Sequence, residues 1–378
     1  MRVLHIGAGN LYGGVETVLV TLARLRALCP ELEPEFALCF KGRAADEIAA
    51  TNAPLHILGE VRTRRPLSVL RARGRLKALV ARRRFDAVIC HSPWAQAIFA
   101  PAVRSADVPL VFWLHDAPSG NHWLERWASK ARPDLAICSS RFNAAALGYV
   151  YPRAQAAVVY CPVARPSPRH YHEREAVRAE LETPSDATVV IQVSRMEEWK
   201  GHRLHLNALA RLRDEPQWAC WMVGGAQRPH EQRYLDTLRA QAIALGIADR
   251  IRFVGQRGDV GRLLAAADIH CQPNTGAEPF GITFIEALYS GLPVVTTAIG
   301  GAVEIINDAC GILVPPNDPT ALASALGRLI EDREERERLG AAGPDRAASL
   351  CDPHAQLTRL HAILAQAADA NAMRWQTA

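Results

Sequence analysis

Glu278 and Glu286, with seven residues between them, bracket the run E-P-F-G-I-T-F-I-E. The apolar run Asp268 to Pro273 just before it predicts a buried strand, and Ile282 to Leu288 predicts a helix that stops at Gly291. The bracketed stretch therefore sits where a strand hands over to a helix. In open parallel sheets that is where ligands bind, beyond the carboxyl ends of the strands. Pro279 and Gly281 turn the loop tightly, and the backbone N–H groups from about Gly281 onward are free at the helix start, a favourable place for an anion such as phosphate. Glu278 lies in the loop and Glu286 about one turn into the helix. Acceptors on either side of an anion suit a ligand with hydroxyls flanking a phosphate, the shape of a nucleotide sugar.

A pair of cations stands upstream. Arg195 and Lys200 follow the strand-like run Val189–Val193 and precede a helical run, His202–Arg213. Preorganised cations stabilise a leaving nucleoside diphosphate as its charge develops. Metal-using sugar transferases often hold their ion with a D-x-D motif, and none occurs here. The two cations and the helix start at Gly281 are expected to replace the metal, so neither metal nor cofactor is expected. His115-Asp116 ends the apolar run Leu110–Leu114, and His91 ends Ala87–Cys90. The imidazole of His115 is placed to hydrogen-bond a ligand or to share developing charge. His91 reads more simply as a strand-end core residue. Gly7-Ala8-Gly9 with Gly13-Gly14 invites a dinucleotide reading. Tyr12, however, stands where the third glycine belongs, and no acid follows Phe40-Lys41 to hold a ribose. Hydride transfer is therefore a distant alternative.

The elements that must position these residues alternate along the whole chain. Strand candidates in the first half are Val3–Ile6, Phe36–Phe40, Leu55–Leu58, Ala87–Cys90, Leu110–Leu114, Leu135–Cys138 and Ala157–Tyr160, with helical runs such as Thr17–Leu28 and Leu67–Ala81 between them. In the second half they are Val189–Val193, Ala219–Val223, Ile251–Val254, Ile269–Gln272, Val294–Thr297 and Ile312–Val314, with helical runs at His202–Arg213, Glu231–Leu245, Val260–Ala266, Ile282–Tyr289 and Thr320–Leu339. This pattern predicts an α/β chain of two doubly wound parallel sheets facing across a cleft. Residues 1–163 form the first domain, a proline-rich segment 164–187 is read as a linker or hinge, and 188–354 form the second domain. A last helix, about 355–378, is expected to cross back to the first domain.

With 378 residues, 49% hydrophobic residues and a mean hydropathy of −0.04, the chain reads as a soluble two-domain protein. It lacks an apolar run of the ~18 residues needed to span a membrane and the apolar core of a signal peptide. Nine cysteines without C-x-x-C spacing read as reduced core residues, which points to the cytoplasm. Charge is uneven: residues 1–163 hold 21 Lys and Arg against 12 Asp and Glu, and the remainder 23 against 27. Arg62 to Arg84 carries ten basic residues and no acid, with Leu67, Leu70, Leu76, Leu79 and Val80 at helical spacing. Such a helix is an arginine-rich solvated face, a surface for a phosphate-bearing acceptor, or a peripheral contact with anionic lipid on the inner face of the membrane. Nucleic acid is not expected as a partner, because no recognised module or aromatic interleaving accompanies the charge. Trp113, His122, Trp123 and Trp127 cluster after the fifth strand and make Ala117–Lys130 a candidate for the acceptor site.

Taken together, these motifs resemble family 4 of the retaining GT-B glycosyltransferases, the glycosyl transferases group 1. The resemblance rests on E-x7-E at Glu278 and Glu286, and on Arg195 with Lys200-Gly201. It extends to Phe253-Val254-Gly255, to Gly291-Leu292-Pro293-Val294-Val295, to Gly300-Gly301 with Glu304, and to Gly13-Gly14-Val15-Glu16. It implies a metal-independent retaining transfer of a hexose-type sugar from a nucleotide sugar, UDP before GDP, to a hydroxyl of a glycan, lipid-linked or small-molecule acceptor. It also implies roles: Glu286 on the ribose, Glu278 on the donor sugar, Arg195 and Lys200 on the diphosphate, and His115 facing the reaction centre. Gly13, Gly14, Gly255, Arg257, Phe280, Gly281 and Ile282 complete the implied donor site. Polysaccharide biosynthesis is the implied setting. A nucleotide-sugar epimerase of the same fold is an alternative, as is a catalytically silent binding protein; a phosphorylase would need a far longer chain.

Overall fold

The structure, a computed structural model, describes residues 1–215 and 217–376. The chain divides into two compact units, residues 1–164 with the segment from Cys351 onward, and residues 165–350. Each is built on one parallel sheet.

The first sheet holds seven strands: β1 (Arg2–Gly7), β2 (Glu33–Leu38), β3 (Leu55–Ile57), β4 (Ala87–Cys90), β5 (Leu110–Leu114), β6 (Leu135–Cys138) and β7 (Ala156–Val158), in the order β3-β2-β1-β4-β5-β6-β7. Every residue of β4, β5 and β6 is buried, as expected of strands covered by helices on both faces. The strand order reverses between β1 and β4. In the second sheet the strands are β8 (Thr188–Val193), β9 (Trp218–Val223), β10 (Ile251–Gly255), β11 (Ile269–Gln272), β12 (Val294–Thr297) and β13 (Gly311–Val314). They run β10-β9-β8-β11-β12-β13, so the order reverses between β8 and β11. At such a switch point neighbouring loops leave in opposite directions and a crevice opens beyond the strand ends. The loop after β8 carries Arg195 and Lys200. The loop after β11 carries Glu278.

Alternating apolar runs located all thirteen strands, but three boundaries differ from expectation. The proline-rich segment is not a free linker, because from Arg165 it belongs to the second unit. The helix Arg174–Glu180 docks there through Asp268, whose carboxylate accepts from Arg174 (2.5 Å), from Arg178 (2.6 Å) and from the Val189 N–H (2.7 Å). Arg178 is itself buried and donates also to the carbonyls of Ala187 and Ala266. The run Thr320–Leu339 is two helices, Pro319–Glu331 and Arg333–Cys351. Asp332 leaves the helical region between them and accepts from the Glu335 N–H (2.9 Å), capping the second. The second unit ends at Leu350, four residues before the expected boundary. The last helix, Pro353–Gln376, belongs to the first unit, where Arg359 donates to the Val158 carbonyl at the end of β7 (2.8 Å).

Breaking a buried ion pair on one side leaves the other charge uncompensated. Asp268→Ala is therefore expected to lower unfolding free energy by about 3 kcal/mol, read as a lower urea midpoint. An unchanged midpoint would show that Arg178 holds the 165–187 segment without this carboxylate.

Candidate functional site

In the second unit the two switch-point loops are joined by one ion pair. Lys200 Nζ donates to Glu278 Oε2 at 2.6 Å, and both side chains are largely buried. Gln272 Nε2 and Asn274 Nδ2 donate to the same oxygen, each at 3.2 Å. No hydrogen bond reaches Glu278 Oε1 from the described residues, so that oxygen remains able to accept from a ligand hydroxyl. The backbone holds this loop as firmly. The Gly301 N–H donates to the Glu278 carbonyl, and Gly300 pairs with Glu278 as an isolated parallel bridge. Gly201, at φ 75°, is pressed against the Pro273 carbonyl so closely that a Cβ would stand 1.8 Å from it. Only glycine fits there.

Gly281 (φ 103°) starts the helix Ile282–Tyr289. Glu286 sits one turn in. It keeps some exposed surface, but its enclosed surroundings raise its carboxyl to about 7, and none of the described residues hydrogen-bonds or pairs with it. Desolvation without a partner disfavours the charged form, which a donor of hydrogen bonds would restore.

Arg195 is less free than its position suggests. Its guanidinium pairs with Glu197 and with the fully buried Glu231 (3.3 Å), whose other oxygen accepts from the N–H groups of Gln227 and Arg228 at the start of the helix Pro229–Ala244. Its Nε is buried without a partner among the described residues. Arg257, expected in the donor site, is instead a clamp. It pairs with Asp259 (2.7 Å) and Glu180 (2.6 Å), and Arg262 pairs with Glu173 and Glu180, so this network ties the helix Arg174–Glu180 to the loop after β10. The Arg257 contact holds the Asp259 carboxyl down at about 2. Phe280 is buried. Ile282 is half-buried, and nothing crowds the α-carbon of Gly255, at φ 79°.

The first unit contains a chain of histidines. His5 Nδ1 lies 2.8 Å from His91 Nε2, His91 Nδ1 lies 3.0 Å from His115 Nε2, and His115 Nδ1 lies 3.1 Å from Ser139 Oγ. The Ser139 hydroxyl donates to the Leu114 carbonyl (3.1 Å), so Oγ must accept from His115 Nδ1–H. Each imidazole then donates through Nδ1, and His91 and His115 accept at Nε2, while His5 Nε2 is buried without a partner among the described residues; an arrangement of this sense keeps all three neutral. Burial agrees, pushing His5 and His115 down to about 3 and His91 well below its usual value, the neighbouring histidines adding to it. Both ring nitrogens of His115 are thus engaged inside the unit, and its expected hydrogen bond to a ligand would require one of them to be released. His91 is a link in this chain rather than a solitary core residue. Trp113 is fully buried and stacks on His91 and His115, so it belongs to the core and not to an acceptor surface. Trp123 is exposed, and Trp127 stacks against it at 6.3 Å. The Gly13 N–H is taken by Glu16 Oε2 (3.1 Å), which caps the helix Gly14–Leu25 and leaves only Gly14 exposed.

The basic run forms the helix Pro66–Arg82. It buries Val69, Ala72, Leu76, Leu79 and Val80 and leaves Leu67 and Leu70 exposed at its first turns. Arg73 and Arg75 turn inward onto the carbonyls of Ile98 and Leu58. None of the helices in the described residues is long and apolar enough to cross a membrane. No group of three or more His, Cys, Asp or Glu among those residues is arranged to hold a metal ion.

Lys200 and Glu278 are thus brought together at one switch point, and Arg195, Gly281 and Glu286 lie on the loops and the helix that follow the same two strands. The motifs did not point to Gln272, Asn274, Glu197, Glu231, His5 or Ser139. These are amides, acids, a histidine and a serine at unremarkable spacings, given roles only by sheet order.

Two family descriptions match successive parts of the chain. Residues 12–165 match Glycosyltransferase Family 4, and residues 173–346 match Glycosyl transferases group 1. The lipopolysaccharide core biosynthesis glycosyltransferase LpsE of Rhizobium meliloti is 34% identical over 167 residues, 44% of this chain and 46% of that protein. The D-inositol 3-phosphate glycosyltransferase of Corynebacterium glutamicum is 34% identical over 203 residues, 52% and 48% of the two chains. The chain thus spans about half the length, or less, of the curated relatives it matches. The crystal structure of Anabaena HepE in complex with UDP and glucose superimposes with a TM-score of 0.85 at 25% identity, covering 97% of this chain and 99% of that one.

Histidines held neutral at about 3 bind fewer protons folded than unfolded, where the imidazole titrates near 6.5. Their contribution is complete above about pH 6.5 and drains away as pH falls toward 3. Urea unfolding between pH 7.5 and 5 is expected to show stability falling with acid, with a smaller slope in His91→Gln. Equal slopes in the two proteins would show that the His5–His91–His115 chain does not stay neutral.

Proposed function

The chain belongs to the group 1, family 4 glycosyltransferases, with the two-domain α/β GT-B fold, and from that premise we propose that it transfers a hexose-type sugar from a nucleotide sugar to a hydroxyl acceptor. One observation carries the reading. Lys200 and Glu278 meet at the switch point of the second sheet, beside the helix start at Gly281, with one Glu278 oxygen still able to accept. A diphosphate bound there draws Lys200 toward itself and lets the Glu278 carboxylate serve the donor sugar. Glu286 takes the ribose hydroxyls, whose two donated hydrogen bonds favour its ionised form. Arg195, steadied by Glu197 and Glu231, adds the second cation. UDP is the favoured nucleotide, because HepE was solved with UDP and with UDP-glucose. GDP ranks second.

The reaction follows from charge. As the bond between the anomeric carbon and the phosphate oxygen breaks, negative charge grows on the diphosphate and positive charge on the sugar. Lys200, Arg195 and the helix start stabilise the first without a metal. In the retaining route the acceptor oxygen bonds to the anomeric carbon on the face the diphosphate leaves, and the acceptor hydroxyl proton passes to the departing phosphate oxygen. The acceptor is a glycan, lipid-linked or small-molecule hydroxyl compound, consistent with relatives that act in lipopolysaccharide core biosynthesis and on inositol 3-phosphate. The exposed Leu67 and Leu70 at the start of an arginine-rich helix further support a peripheral contact with anionic lipid on the cytoplasmic side. Co-sedimentation with phosphatidylglycerol vesicles, lost in Leu67→Ser/Leu70→Ser, is the expected result; equal sedimentation of both proteins would remove the membrane from the reading.

The donor site is tested by calorimetric titration with UDP, GDP and ADP, with and without EDTA. One nucleotide is expected to bind, unaffected by EDTA. Lys200→Ala and Glu286→Gln should each weaken it by about 10- to 100-fold, the worth of a hydrogen bond to a charged group. Glu286 with a carboxyl at about 7 is largely protonated at pH 6 and ionised at pH 8. The penalty of Glu286→Gln should therefore grow as pH rises. Failure of all three nucleotides to bind would overturn the donor site, and a pH-independent penalty would overturn the role of Glu286.

A further inference from the structure

One aromatic side chain touches one phosphate-site cation directly and the other through its carboxylate partner. The Trp199 indole N–H donates to Glu197 Oε2 at 3.1 Å, and the other Glu197 oxygen accepts from Arg195. The face of the same ring lies against Lys200, with Nζ 3.8 Å from the ring centroid. The Trp199 carbonyl accepts from the N–H groups of Thr275 (2.8 Å) and Gly276 (3.3 Å), on the loop that leads to Glu278. At Gly276 a Cβ would stand only 3.1 Å from the Trp199 Cβ, so the ring's stem is packed onto that loop. Trp199 thus bridges the loop after β8 and the loop after β11.

We infer that Trp199 is a positioning residue for the phosphate-binding cations, on the reading of this site as a nucleoside-diphosphate site. Lysine is a compact charge on a flexible four-carbon stem, so an ammonium that must meet a phosphate has to be held in place beforehand. In the structure Glu278 and Trp199 share that task. They differ in what happens when the diphosphate arrives. Glu278 is an anion that competes with the phosphate for Nζ. The ring face attracts the ammonium through its quadrupole without supplying a neutralising charge. Trp199 therefore keeps Lys200 aimed while leaving its full charge for the ligand, and releases Glu278 for the donor sugar. Glu197 fixes the plane of the indole through its N–H and, by its second oxygen, ties that plane to the guanidinium of Arg195.

The test compares a ligand that has the phosphates with one that lacks them. Wild type, Trp199→Leu and Trp199→Phe are titrated with UDP by calorimetry and with uridine by saturation-transfer NMR. Trp199→Leu removes the π face and the N–H together and is expected to weaken UDP by about 5- to 30-fold, the range of a partly to fully desolvated cation–π contact. Uridine binding should not change. Trp199→Phe keeps a π face and should recover most of the loss. In a Lys200→Ala background, Trp199→Leu should cost less than in wild type, because the ring-face contact is already gone and only the indole N–H link to Glu197 is left to lose. Equal UDP affinity in wild type and Trp199→Leu would overturn the proposal. So would a parallel loss of UDP and uridine, which marks a merely structural tryptophan. If wild type binds neither UDP, GDP nor ADP, the donor-site reading itself fails and this role goes with it.

Discussion

The contact between Lys200 and Glu278 is the constraint around which the second unit is arranged. A largely buried ammonium and carboxylate at 2.6 Å are tolerable only when their remaining hydrogen-bonding capacity is met and the backbone holds them in register. Gln272 and Asn274 donate to the carboxylate, and the Gly300–Gly301 backbone is bonded to the Glu278 peptide. Gly201 lets the cation's loop lie against Pro273. Each of these groups comes from the end of β8, β11 or β12, or from the loop that follows. The sheet reverses its strand order between β8 and β11, and that reversal creates the space the pair occupies.

The same topology gives the first unit a different interior at its own switch point. There the polar groups are histidines at the ends or in the middle of β1, β4 and β5, joined side by side because those strands are neighbours. Three imidazoles with no carboxylate among their hydrogen-bond partners remain neutral, because burial penalises the charged form and each neighbour would repel a second charge. The donor–acceptor sense of the chain is set at its far end by one hydroxyl and one carbonyl, Ser139 and Leu114. One unit therefore offers fixed cations and carboxylates, and the other a neutral, directional hydrogen-bond chain ending at half-buried His115.

Arg257 illustrates how identical chemistry is divided between ligand and scaffold. Arg195, Arg257 and Arg178 all follow or precede strands of the second sheet, and each meets carboxylates. Arg178 and Arg257 are fully engaged in docking the 165–187 segment through Asp268, Asp259 and Glu180. Arg195 retains a buried Nε without a partner among the described residues. Residue type and proximity to a strand end do not separate these cases; the acids that happen to face them do.

Much of this was legible in the chain itself. Apolar runs of three to five residues separated by helical periodicity located the thirteen strands, because a strand buried on both faces must be apolar throughout. Spacing placed Glu278 in a loop and Glu286 one helical turn beyond it, and put Arg195 and Lys200 between a strand and a helix. These are local facts, dictated by residue volume, backbone freedom and helical pitch. The tertiary structure alone decided which loops became neighbours. It joined Lys200 to Glu278 across 78 positions and His5 to His91 across 86. It also turned a proline-rich stretch into a docked helix by bringing Asp268 to Arg178, 90 positions away. Strand order is a long-range property settled by the packing of whole elements, and no local pattern encodes which acid will meet which base.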